Sequence, residues 1–210
     1  MDKKILQEQS AEDRLNKLLL VRLHQGSDRE RIDEMIWDLF GETWAVMFTD
    51  LVGFSRSVQR FGIIYFLQLI IESERLFGPI VERHAGYRLK KEGDSLLIIF
   101  RKPAKALAAA LAMQQACKEY NTTRKDEEKL FLSLGLGYGQ VLKIGLADVF
   151  GFEVNAASKL GEDTGTAGDI LVTKSFYEQI ADPGRFAQLP DIAPWVGGAY
   201  RLLYEQQQPS

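Results

Sequence analysis

Apolar positions in the first forty residues recur at helical spacing, first at Leu15, Leu18, Leu19 and Leu23, then at Ile32, Met35, Ile36 and Leu39. Between the two sets, Ser27 with Glu30 three residues on reads as a capping box that opens the second helix. At Trp44 the period changes. The apolar run from Trp44 to Phe48 predicts a buried strand over 44–50, and a long apolar helix is expected over about 62–84. "YRLKKEG" and "DSLLIIF" read as a hairpin. Pro103 suits the first turn of a helix whose face carries Ala104, Leu107, Ala108 and Leu111. "LFLSLGLGYGQVLKIG" is read as a strand pair bent by its glycines. A helix beginning near Phe152 carries Val154, Ala157, Ser158 and Leu160, "DILVTKSFYEQI" is a strand running into a short helix, and "AYRLLYE" is the last strand. The order βαββαββαββ defines an α+β fold, helices flanking an antiparallel or mixed central sheet. Residues 1–42 form an N-terminal helical extension, 43–205 the main domain and 206–210 a frayed tail.

Composition narrows the function. With 210 residues, 46% of them hydrophobic, the chain suits one domain plus the extension. A formal net charge of −3 with acids and bases intermixed gives no basic stripe, so a nucleic-acid partner is excluded. The single cysteine, Cys117, permits no disulfide framework within one chain, which fits a reducing compartment. The N-terminus lacks an apolar signal core, and "FGIIYFLQLII" is too short for a membrane span and is broken by Gln68, so a soluble, cytoplasmic protein is expected. His24 and His84 stand alone and are not read as ligands.

Two carboxylates carry the chemistry. Asp50 ends the apolar run of "WAVMFTDLVGFS", and Asp94, after Gly93, abuts the apolar strand "SLLIIF". A carboxylate beside a core is costly unless a cation or a hydrogen-bond donor meets it. Paired carboxylates at adjacent strand ends suit Mg²⁺, a hard cation that takes one or two of them and completes its shell with water and substrate phosphates. If the first strand lies beside the hairpin, both acids share one end of the sheet. "GLGYG" is not a dinucleotide loop, because its spacing is wrong and a strand follows it.

Three blocks, "FTDLVGFS", "LKKEGD" and "DVFGFEVNAASKL", occur in an order and at separations by which the chain resembles the class III nucleotidyl cyclases, the adenylate and guanylate cyclase catalytic domains, over about residues 44–204. The resemblance implies a ferredoxin-like βαββαβ core and an adenylate cyclase converting ATP to 3′,5′-cyclic AMP and pyrophosphate. Two divalent cations, Mg²⁺ or Mn²⁺, serve as cofactors in the family. It further implies that Asp50, Asp94 and the carbonyl of Leu51 bind the metals, and that the backbone of Val52, Gly53, Phe54 and Ser55 holds the triphosphate. Lys90 would read the adenine ring, Asp148 would accept from its amino group, and Asn155 would position the ribose. The family builds its site between two protomers, so a homodimer is implied, with Asp50 and Asp94 from one chain and Lys90, Asp148, Asn155 and Lys159 from the other. An upstream regulatory partner is left unnamed.

Lys159 stands where the family usually places an arginine that stabilises the transition state. Near the C-terminus only Arg201 is present where the family often supplies a lysine, so nothing is carried over there. These departures motivate a rival reading, a non-catalytic cyclase-like module that binds nucleotide or signals by shape. A guanylate cyclase is disfavoured by Lys90 and Asp148. Lys90 with Lys91 also suits a solvated edge strand, Asn155 and Lys159 share a face on any helix, and Glu92 reads as an outward strand residue.

Overall fold

The computed structural model describes residues 10–53, 61–146, 148–190 and 196–204. Two helices, α1 (Ala11–Leu23) and α2 (Arg29–Phe40), lead into β1 (Gly41–Leu51) and α3 (Ile63–Arg83). The hairpin β2 (Gly86–Glu92) and β3 (Ser95–Phe100) follows, then α4 (Pro103–Asn121), β4 (Leu132–Ile144), β5 (Asp148–Phe150) and α5 (Phe152–Ser158). The chain closes with β6 (Ile170–Thr173), α6 (Lys174–Tyr177), β7 (Phe186–Leu189) and β8 (Ala199–Leu202).

The strands form one mixed sheet in the order β2-β3-β1-β4-β6-β8-β7, with β5 paired to β4. All its pairs are antiparallel except β4 with β6. The apolar run in β1 is continuous because the strand is covered on both faces. Ala45 and Met47 meet α3 and α4 through Phe66, Ile70, Phe77, Ala109 and Met113, whereas Trp44, Val46 and Phe48 pack with Val154 and Ala157 of α5. β3 divides in the same way, Leu96, Ile98 and Phe100 to one side and Leu97 and Ile99 to the other.

The structure corrects several local expectations. "LFLSLGLGYGQVLKIG" contains not a strand pair but the single 13-residue strand β4. Its glycines do not bend it; they face α5. A Cβ on Gly135 would sit 2.0 Å from the Ala157 carbonyl, and one on Gly137 would sit 2.6 Å from that of Glu153. Only residues without side chains let the helix approach this closely. The buried face of α4 is Ala106, Ala109, Ala110, Met113 and Cys117 rather than Ala104, Leu107, Ala108 and Leu111, since small residues bring the helix close to the sheet while the leucines pack at its flanks. Asp28, not Ser27, caps α2 by accepting from the Arg31 amide at 3.1 Å, and Ser27 donates to the Arg22 carbonyl instead. Ile32, Ile36 and Phe40 are the residues of α2 that pack with Leu15, Leu18 and Ile144, leaving Met35 and Leu39 exposed. β7 has no counterpart in the sequence reading, because "FAQL" is short and lies at an edge of the sheet. No helix among the described residues is long and apolar enough to cross a membrane.

Candidate active site

Adjacent strands bring the two aspartates to one end of the sheet. β1 pairs with β3 through Thr49 opposite Leu96, so Asp50 follows just where the β2–β3 turn delivers Asp94. That turn has two residues, and Gly93, at φ 60°, takes the left-handed first position that a type II′ hairpin turn requires. Thr49 pins the corner, its hydroxyl accepting from the Leu96 amide at 3.0 Å.

The electrostatics of this corner are those of two half-buried carboxylates held side by side. Burial pushes the half-buried Asp50 up to about 6, with the charges of Asp94, Glu162 and Asp163 adding in that order. Burial raises Asp94 too, against the opposing pull of its own amide and that of Leu51, and Glu162 adds to the rise. Asp94 Oδ2 is buried with no hydrogen-bond partner. An orphaned carboxylate oxygen beside a second carboxylate with a raised pKa fits a divalent cation. Among the described residues no group of three or more acidic, histidine or cysteine side chains is arranged to hold a metal, so these two acids would leave most of a cation's shell to backbone, water and substrate. Leu51 closes β1, and Val52 and Gly53 turn away from it, Gly53 at φ 93° and the Val52 amide donating to the Phe131 carbonyl at 2.8 Å. Phe54 and Ser55, the remainder of the expected phosphate loop, lie outside the described residues.

Lys90 and Asp148, 58 positions apart in sequence, meet at 2.9 Å. β2 carries the lysine and β5 the aspartate, whose Oδ1 is held by the Val149 amide at 2.8 Å. The ammonium also reaches Glu92 Oε1 at 2.7 Å, and the bonds to Glu92 and Asp148 raise its pKa against the opposing effect of burial. A shallow crevice lined by Phe48, Lys90, Glu92, Ser95, Leu97 and Glu162 runs beside them. On α5, Asn155 is exposed and Lys159 follows at i+4, where the helix widens into a π-helical turn over Lys159–Thr164. Lys159 is not free, since its ammonium contacts Asp163 Oδ2 at 2.6 Å. Arg201 is spent on Asp169, an ion pair of 2.9 Å with a carboxylate only 5% exposed. The sequence reading missed Glu162 and Asp163; the available signal was their position three and four residues after Lys159, on its own helical face.

The description of the adenylate and guanylate cyclase catalytic domain matches residues 41–189, and the chain belongs to that family. It is 26% identical over 136 residues to a putative adenylate cyclase of Rhizobium meliloti, an alignment covering 65% of this chain and 23% of that protein. The adenylyl cyclase CyaB of P. aeruginosa superposes with a TM-score of 0.65 at 20% identity, over 81% of this chain and 98% of that one. The guanylate cyclase domain of RhGC from Catenaria anguillulae, solved with GTP, gives a TM-score of 0.64 at 24% identity, over 79% and 98%. The chain spans less than half the length of the curated relatives it matches. The fold is therefore that of a nucleotidyl cyclase, with adenylate and guanylate cyclases both among its neighbours.

Proposed function

We propose that the protein is an adenylate cyclase that converts ATP to 3′,5′-cyclic AMP and pyrophosphate at a site shared by two copies of the chain, with residues 43–205 as the catalytic domain, 1–42 as an extension and 206–210 as a tail. The observation that carries the reading is the Lys90–Asp148 contact of 2.9 Å, formed between strands far apart in sequence. An ammonium donor beside a carboxylate acceptor complements the ring nitrogen and exocyclic amine of adenine, whereas guanine presents a carbonyl where the carboxylate needs a donor. Asp50, Asp94 and the Leu51 carbonyl would hold two divalent cations, Mg²⁺ or Mn²⁺, whose chemistry is to activate the ribose 3′-hydroxyl and hold the pyrophosphate. Gly53, Phe54 and Ser55 bind the triphosphate through their backbone amides, the Val52 amide being held instead by the Phe131 carbonyl, Asn155 orients the ribose, and Lys159 donates to the phosphoryl oxygens as charge grows there. Fixed orientation of the hydroxyl toward the α-phosphorus is the main contribution of these groups.

The Lys159–Asp163 ion pair favours a second reading, a non-catalytic nucleotide-binding module, because a lysine already neutralised has less to offer the transition state. Purified protein incubated with ATP or GTP and Mn²⁺, followed by chromatography, separates the readings. Cyclic AMP supports the first, and cyclic GMP as the sole product would overturn the assignment of Lys90 and Asp148. Binding of ATP without any cyclic product identifies the module.

A further inference from the structure

We propose that Glu92 is the third member of the base-reading group, a positioning residue that shares the Lys90 ammonium with Asp148 and leaves one N–H for the nucleotide base. The inference rests on the reading of Lys90 and Asp148 given above.

The chemistry follows from counting donors. A lysine ammonium has three N–H groups and no acceptor. The ammonium donates to Asp148 Oδ2 at 2.9 Å and is ion-paired with Glu92 Oε1 at 2.7 Å, so with one N–H turned to each carboxylate a single donor remains. The geometry is built by the strand. Residues 90 and 92 fall on the same face of β2, while Lys91, on the other, reaches Glu74 at 2.6 Å. The Asp148 carboxylate is itself anchored by the Val149 amide at 2.8 Å, so it cannot follow the lysine if the lysine moves. A four-carbon side chain tethered on one side keeps several rotamers; held from two elements at once, it keeps few. Glu92 serves this purpose without serving the fold, because its side chain is 70% exposed and an ion pair so open to water adds little stability.

The test compares the parent, Glu92→Ala, Glu92→Gln, Lys90→Ala and the double variant Glu92→Ala/Lys90→Ala, all in the full chain. Binding is read with a fluorescent ATP analogue and turnover with Mn²⁺-ATP. Glu92→Ala is expected to raise KM and the analogue's Kd about fivefold, the scale of one misplaced hydrogen bond, while kcat moves much less. Glu92→Gln keeps an acceptor at the same reach and recovers part of the loss. In the Lys90→Ala background the Glu92 substitution should have no further effect, because a residue acting through another is not additive with it. The melting temperature should not shift. Unchanged Kd in Glu92→Ala, or the same loss with and without Lys90, overturns the role of Glu92 while leaving the Lys90 reading intact. Should Lys90→Ala bind as the parent does, or the parent bind no nucleotide, the base-reading assignment itself falls and Glu92 with it.

Discussion

Replacing Asp50 by asparagine should stabilise the metal-free protein while removing its activity. In the folded chain burial and the charges of Asp94, Glu162 and Asp163 raise the Asp50 pKa to about 6. The folded state therefore binds this proton more tightly than the unfolded state. Below the ordinary aspartate value both states are protonated and the group is neutral to stability. As pH rises through the window from about 4 to about 6 the unfolded chain ionises first, and stability falls until the folded carboxylate has ionised as well. A rise of this size corresponds to at most about 3 kcal/mol at pH 8. Asp50 is only half-buried, so screening by solvent reduces that to about 1 kcal/mol. For a domain of this size the gain is about 2–4 °C in melting temperature. Thermal melts of parent and Asp50→Asn in chelator at pH 8 and pH 4 are the assay, with Mn²⁺ added in a second series. Asp50→Asn should melt higher at pH 8, lose most of that advantage at pH 4 and gain less from Mn²⁺ than the parent does. An Asp50→Asn protein no more stable than the parent at pH 8, or one with an advantage independent of pH, would refute the account of an uncompensated anionic corner.

Asp94→Ala should likewise abolish cyclisation with the circular dichroism spectrum preserved, because it removes the orphaned oxygen rather than a packed group. Mixing an Asp50→Ala chain with a Lys90→Ala chain should restore part of the activity that each lacks alone, since a shared dimer leaves one composite site whole; continued inactivity after verified subunit exchange would show that the site is not composite. Lys159→Ala should lower kcat roughly a hundredfold with KM nearly constant, and Lys159→Arg should raise kcat, because a guanidinium fork holds two phosphoryl oxygens at once. Gly135→Ala should prevent folding or lower the melting temperature sharply, as its Cβ would lie 2.0 Å from a backbone oxygen, whereas Gly53→Ala, whose Cβ meets nothing within 4 Å, should show only backbone strain.

The pairing of Asp50 with Asp94 was legible because each acid interrupts an apolar strand at a place where hydropathy alone would not put it, and the hairpin order places those strands side by side. The fold class followed from the same alternation of periods. What escaped was set by contacts rather than by pattern. Glycines in β4 read as breakers, since sequence cannot tell a glycine that bends a strand from one that makes room for a helix. Ser27 and Asp28 are equally good caps by type, and only the geometry of the first turn chooses between them. Glu92 and Asp163 look like solvated acids at any exposed position; their significance lies in which ammonium each one meets. The alanine face of α4 was passed over because leucines dominate a hydrophobicity count, while closeness of approach selects small side chains.

The three missing side chains at Gly135, Gly137 and Gly139 act as a mechanical key. α5 sits in a slot cut to its backbone at Gly135 and Gly137 and to the Glu153 side chain at Gly139, with Gly161 of the following turn pressed against Gly135 and the Phe48 carbonyl. A helix seated on bulky side chains can slide by exchanging one rotamer for another; one seated on bare backbone has nothing to exchange. Asn155 and Lys159 are thereby registered to the strand that lies between β1 and β6, and a signal reaching this helix has to move the sheet with it.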